Sequence, residues 1–265
     1  RLQCPSPDVA INGALLALNS VNGNTSNPIA FYDEAIHEKA RKKVEIASQM
    51  HAALANREFH MYLQPKFHLN DKTLHSAEAL VRWRSQGGTI IPPDRFIPVF
   101  ERKFMIDRLD QYVFEDVCRW LKSRLDAGKQ VLPVSVNVSR LQFNDLNFVE
   151  NYVAIRNRYD IPAELIEVEF TESIAFDNAS LLLRTVNQLK AAGFTCSIDD
   201  FGKGYSSLSL LKELPVDVLK IDSFFFADGT DRNRDMALVE SIVELVKKFN
   251  MRTVAEGIES MEQVE

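Results

Sequence analysis

Apolar and polar positions along the chain change their period several times, and each change marks an element. Asp8–Val21 spaces its apolar residues as a helix does, and the VNGNTSNP stretch that follows is a turn-rich break. Ile29–Tyr32 reads as a short strand. From Asp33 to about Asn56 the segment DEAIHEKARKKVEIASQMHAALAN reads as one long charged helix. Short apolar strands then alternate with helical stretches. The strands predicted are Met61–Phe67, Ser76–Trp83, Pro133–Val138, Ile166–Thr171, Thr195–Asp200, Val218–Ile221 and Thr253–Gly257. Among the helices, Ile106–Leu125 repeats apolar residues at Leu109, Val113, Val117, Trp120 and Leu121. Asn178–Ala192 follows Asp177, a good N-cap, and precedes Gly193, a good helix stop, and Asp235–Phe249 is again amphipathic. Such alternation predicts parallel strands joined by right-handed crossovers, and seven strands are one short of a closed (β/α)8 barrel.

Length and composition agree with that size class. A chain of 265 residues holds one α/β barrel of about 250 residues plus a short appendage. A net charge of −6 with no basic stripe argues against a DNA or RNA partner. No apolar run approaches the roughly 18 residues that span a bilayer, so no membrane contact is expected of this segment. The opening RLQCPSPDVA has neither an initiator Met nor a leader pattern, and reads as a piece of a longer protein whose missing upstream region could tether it to a membrane. Cys4, Cys118 and Cys196 are odd in number and widely spaced, which argues against a disulfide framework or zinc site and for the reducing cytoplasm. His37, His51, His60, His68 and His75 form no ligand spacing and read as surface or packing residues.

The informative polar residues lie at strand ends. Glu78 interrupts HSAEALVRW, Asn137 ends PVSVN, Glu169 sits in IEVEFTE, Asp199 and Asp200 end TCSIDD, Lys220 sits in VLKID, and Glu256 follows TVA. Taken singly, each has a plain reading: Glu78 a cap, Asn137 and the Asp pair turn formers, Lys220 a rim ion-pair partner. Recurrence is harder to explain, because an ionised carboxylate in a strand covered on both faces costs several kcal/mol unless paired or metal-bound. The carboxyl ends of barrel strands open on one rim, where active sites are built. Oxygen ligands without His or Cys suit Mg2+ or Mn2+ rather than zinc. An Asp bridging further carboxylates suits a two-metal site that directs in-line attack at phosphorus, and a lone Lys there can position water.

With those residues in view, the chain resembles the EAL domains, cyclic di-GMP phosphodiesterases. The resemblance rests on YLQP at Tyr62–Pro65, Glu78-Ala79-Leu80 within EALVRW, FIP at Phe96–Pro98, SVNVS at Ser135–Ser139, EFTES at Glu169–Ser173, DDFGKGYSSLSLLKELPVDVLKID at Asp199–Asp222 and VAEGIES at Val254–Ser260. It covers residues 57–265 and implies an EAL-type (β/α)8 barrel lacking its last strand and helix. It implies that Glu78, Asn137, Glu169 and Asp199 hold one Mg2+ or Mn2+, and that Asp199, Asp200 and Glu256 hold a second. Lys220 would contact the attacking water, acting with Glu78 and Glu256 in catalysis. Gln64, Arg82, Leu80 and Asp222 would bind the dinucleotide, Arg82 through a phosphate. Glu172 would brace the loop after Asp200, and Glu259 joins the acidic group near the site. The implied reaction is hydrolysis of cyclic di-GMP to linear pGpG, with a homodimer formed through this domain; the alternative is a module that binds cyclic di-GMP without turnover. Lys203 departs from the small residue usual in its loop. Residues 1–35 resemble the end of a GGDEF domain without its signature, which leaves 36–56 as a linker helix.

Overall fold

A computed structural model describes residues 6–21, 29–202, 208–226 and 232–264. The break at 22–28, the loop carrying Lys203, and Cys4 lie outside the described residues. The chain divides into two units, Arg1–Glu58 with Trp83–Lys103, and Phe59–Arg82 with Phe104–Glu265. In chain order the main elements are α1 (Pro7–Val21), α2 (Glu34–Ala55), β1 (Phe59–Phe67), β2 (Leu74–Arg84), β3 (Ile90–Ile91) and α3 (Pro93–Arg102). They continue with α4 (Ile106–Asp126), β4 (Val134–Val138), α5 (Phe148–Arg158), β5 (Ile166–Thr171), α6 (Glu172–Asp177), α7 (Ala179–Ala191) and β6 (Thr195–Phe201). The last are α8 (Leu208–Glu213), β7 (Val218–Ile221), α9 (Arg232–Lys248), β8 (Arg252–Ala255) and α10 (Met261–Val264).

In the first unit the long charged segment is helical as expected, and it starts where Asp33 accepts the Ile36 N–H at 2.8 Å. The strand expected at Ile29–Tyr32 does not form. Those residues lead into the α2 cap instead, and the Tyr32 hydroxyl pairs with His37 Nδ1 at 3.0 Å. The buried Trp83 donates its indole N–H to Glu58 at 2.9 Å and meets the Phe96 ring edge-on, which fixes the start of α3 against the end of β2.

The second unit is an α/β sheet curled as in a TIM-like barrel. Its strands run in the order β1-β2-β4-β5-β6-β7-β8, while the last two residues of β2 belong to the first unit and pair there with β3. From β2 to β8 every neighbouring pair on that path is parallel. The expectation of parallel strands throughout fails at β1. A turn closed by His68 N–H to the Thr73 carbonyl at 2.9 Å joins β1 to β2, and Arg84 N–H reaches back to the Glu58 carbonyl at 2.8 Å. So short a link leaves no room for a crossover, and the two strands are antiparallel.

Alternation with a period of two sorts the sheet's residues by chemistry. Val134, Val136, Val138, Ile166, Val168, Phe170, Cys196, Ile198 and Leu219 belong to one buried apolar cluster with Phe114, Val117 and Leu121 of α4, Tyr152 of α5 and Leu182 and Val186 of α7. Each such large side chain contributes about 1.5–3 kcal/mol when fully buried. The intervening positions are polar: Glu78 pairs in register with Ser135, Ser135 with Glu167, Asn137 with Glu169, and Glu169 with Ser197. This polar face lines the inside of the curl. The helices behind the sheet are set by ordinary local chemistry. The α7 cap is Asn178, which accepts the Leu181 N–H at 3.1 Å, rather than Asp177, which ends α6. Gly193 stops the helix at φ +89°, with a Cβ there only 2.9 Å from the Ala163 side chain.

Candidate metal and active site

Toward the carboxyl ends of β4 to β8, and at mid-strand in β2, the polar face converges on Lys220 of β7, whose side chain is 1% exposed. Its ammonium lies 2.8 Å from Glu169 of β5, 3.1 Å from Glu78 of β2, 3.0 Å from Asp199 of β6 and 2.8 Å from Glu256, which follows β8. Asn137 of β4 donates to the second oxygen of Glu78 at 2.7 Å. Five strands and the residue after β8 thus bring six of the expected side chains into one constellation. Glu256 is placed by its own backbone N–H, which bonds the Ile221 carbonyl at 3.0 Å.

The paired aspartates depend on an irregularity. The β6–β7 register shifts between Ile198 and Phe201, so Phe201 aligns with Ile221 on the apolar face. Strict alternation would send Asp200 to the face opposite Asp199. The extra residue, with Asp200 at φ +57°, lets both half-buried acids sit at the strand's end. Asp and Asn tolerate this left-handed conformation better than most residues. Asp199 then accepts the Asp200 N–H at 2.8 Å.

Electrostatics here are those of a cation site. Burial works against the charge on Glu169, yet Lys220 and Lys66 together hold it below the usual carboxylate range. Burial likewise opposes the Lys220 ammonium, but Glu169, Asp199, Glu78 and Glu256 outweigh it and keep it protonated well above the ordinary lysine range. Glu256 is pushed up to about 7 by burial, with Lys220 pulling the other way and Asp199 and Glu78 adding repulsion. Oxygens of Glu78, Glu169 and Asp199 lie within 4.8 Å of one another, close enough to share one ion. The donors are all hard oxygens, and an ammonium already sits among them. The residues present therefore fit Mg2+ or Mn2+.

The other expected residues surround this centre more loosely. Glu172, buried at the start of α6, accepts the Gly202 N–H at 3.2 Å and so ties down the chain two residues beyond Asp200. Asp222, buried directly after β7, caps the following turn by accepting the Phe224 N–H at 2.7 Å. Arg82 is half-buried, bonds the Val81 carbonyl at 2.9 Å and lies 5.9 Å from the Tyr62 ring centre. Leu80 is half-buried, while Gln64 and Glu259 are exposed. Among the described residues no hydrogen bond or ion pair is seen between Gln64, Arg82, Leu80, Asp222 or Glu259 and the Lys220 cluster.

One residue of the constellation escaped the sequence reading. Lys66 of β1 donates to Glu169 Oε1 at 2.7 Å and to Ser135 Oγ at 2.8 Å, and lies 3.9 Å from Glu167. The signal was available. Lys66 stands two residues beyond Gln64 on an alternating strand, and Glu167 two residues before Glu169.

Fold and site together define a class, α/β barrels whose strand ends carry a carboxylate cation site. Residues 47–265 match the EAL domain family, and the chain belongs to it. It is 33% identical over 254 residues to the cyclic di-GMP phosphodiesterase NbdA of Pseudomonas aeruginosa, covering 96% of this chain and 32% of that protein. It is 34% identical over 216 residues to the cyclic di-GMP phosphodiesterase PdeR of Escherichia coli, covering 82% of this chain and 32% of that protein. Among solved structures it resembles the PaMucR phosphodiesterase in complex with c-di-GMP, with TM-score 0.77 and 34% identity over 83% of this chain and 89% of that one. The chain spans about a third of the length of the curated relatives it matches. Among the described residues no helix is long and apolar enough to cross a membrane.

Proposed function

We propose that the chain hydrolyses cyclic di-GMP to linear pGpG with two divalent cations, Mg2+ or Mn2+. The observation that carries this reading is the Lys220 ammonium held by four carboxylates, three on separate strands and one directly after β8, a ready cation site in an EAL barrel. Glu78, Asn137, Glu169 and Asp199 would hold one ion, and Asp199, Asp200 and Glu256 the other. When bound, the ions supply Lewis-acid polarisation of the phosphate and a more acidic water. The remaining work falls to the chain. With the carboxylates otherwise neutralised, the Lys220 ammonium is free to hold the attacking water, oriented by Glu78 and Glu256 on either side. Arg82 takes a phosphate of the dinucleotide, and Gln64, Leu80 and Asp222 line its path. Glu172 keeps the segment after Asp200 in place through Gly202, and Glu259 adds to the acidic rim. Water adds to phosphorus, the 3′ oxygen leaves and takes up a proton, and one ring bond is opened. The same reading makes residues 1–35 the end of a preceding GGDEF-like domain, 36–56 a linker, and the active form a cytoplasmic homodimer.

Incubation with cyclic di-GMP and Mg2+ or Mn2+, followed by chromatography, tests it. We expect pGpG from the wild type and none from Glu78→Ala. Nucleotide binding without pGpG under either metal would overturn the enzyme reading in favour of a sensor.

A further inference from the structure

The two oxygens of the Glu169 carboxylate are held by two different ammonium groups. Lys66 bonds Oε1 at 2.7 Å and Lys220 bonds Oε2 at 2.8 Å. The Glu169 side chain is 0% exposed, so no solvent competes with either. The two lysines carry different obligations. Lys220 also serves Glu78, Asp199 and Glu256, and a divalent ion among those acids competes with its ammonium for the same oxygens. Lys66 touches none of them. Its second hydrogen bond goes to Ser135 Oγ at 2.8 Å, a neutral, buried group on β4, and it lies 3.9 Å from the buried Glu167, which is no partner of Lys220. Oε1 can therefore stay engaged while Oε2 changes partner. A carboxylate left free to turn about its last bond offers a metal one oxygen or two, in varying geometry. A fixed Oε1 leaves a single orientation.

We propose that Lys66 is a positioning residue for the cation site, clamping Glu169 through Oε1 so that Oε2 alone is presented to the ion. The proposal rests on the reading of this cluster as a metal site. It assigns Lys66 no contact with the dinucleotide. Residues that orient metal ligands in this way typically account for about 10–100-fold in metal affinity or activity.

Mn2+ titration calorimetry on the metal-free protein tests it, using wild type, Lys66→Met, Lys66→Arg and Ser135→Ala, with thermal unfolding in chelator as the check on folding. Lys66→Met is expected to bind Mn2+ about 10–100-fold more weakly than wild type. Lys66→Arg should recover most of that loss, and KM for cyclic di-GMP at saturating Mn2+ should stay unchanged while kcat falls. A folded Lys66→Met that binds Mn2+ as tightly as wild type, or more tightly, overturns the proposal. If Lys66→Met does not fold, Ser135→Ala decides, because it keeps every charge, Glu167 beside Lys66 included, and removes only the hydrogen bond at 2.8 Å that anchors Lys66 to β4. Weakened Mn2+ binding in that variant supports the clamp, and unchanged binding overturns it. A wild type that binds no Mn2+ overturns the metal-site reading itself, and is told apart because no variant is then needed.

Discussion

Replacing Lys220 with Met keeps most of the side chain's bulk and removes its charge. In the metal-free protein that ammonium lies within 3.1 Å of four carboxylates, one of them fully buried. Removing one partner of a buried ion pair typically costs about 3–5 kcal/mol, because the charge left behind has no solvent to turn to. Set against a total stability of about 5–15 kcal/mol, that is a large fraction. The loss should depend on pH. Glu256 is already lifted to about 7 in the folded protein, and without Lys220 nothing opposes the burial and repulsion that lift it. A carboxyl whose folded pKa lies above its unfolded value adds stability below the unfolded value and forfeits it as pH rises through the folded one. The deficit of Lys220→Met should therefore widen between pH 6 and pH 8. Bound Mn2+ should reverse it, since a ligand at about a hundred times its Kd contributes about 2.7 kcal/mol. The variant should gain more than wild type, where the ion must displace an ammonium. Urea unfolding in chelator and in Mn2+, at three pH values, reads all of this. A Lys220→Met protein as stable as wild type in chelator at pH 8, or a deficit that narrows as pH rises, would refute the reasoning.

Two further outcomes follow from the same geometry. Gly202 has φ +99° and a Cβ there would run into the Phe225 ring, so Gly202→Ala should cost about 1–3 kcal/mol in urea unfolding and lower kcat by loosening the Glu172 tether beside Asp200. An unchanged kcat would show that the tether is not needed. Cys118 and Cys196 are buried, and burial pushes the Cys118 thiol up to about 12 and Cys196 higher still, so neither should react with a disulfide reagent at pH 8 until the protein is unfolded. Rapid labelling of either in the folded protein, located by mass spectrometry, would contradict this.

Much of the barrel was legible because its strands are short runs in which apolar residues alternate with polar ones. Pro133–Val138 and Ile166–Thr171 show this alternation plainly; the first forms over Val134–Val138, one residue shorter than read, and the second with the bounds read. What was not legible depended on tertiary neighbours. Ile29–Tyr32 has strand-like residues, but the segment is consumed in entering the α2 cap. The antiparallel β1 could not be told from a parallel strand by its own residues, since direction is set by the six-residue link that follows it. That link has a consequence for the site. Because β1 runs opposite to β2, its carboxyl end lies toward the amino ends of the parallel strands, and Lys66 reaches Glu169 from the side of Ser135 and Glu167 rather than from the rim. A search confined to strand carboxyl ends on the rim would pass it over.

The Asp199–Asp200 pair carries the same lesson in reverse. Two adjacent acids on a regular strand face opposite sides, so strict alternation assigns only one of them to the barrel interior, although the resemblance implies a role for both. Both become available because the strand is broken by one residue in the left-handed conformation, one that Asp accepts at little cost. The irregularity is stabilised by Glu172 on Gly202, just beyond the strand, and by Phe201, its last residue, returning to the apolar face opposite Ile221. A regular β6 would bury Asp200 among Phe170 and Ile198 and leave the interior one carboxylate short. The bulge is thus what brings both acids to the end of β6, and the packing of Phe201 against Ile221 holds it there.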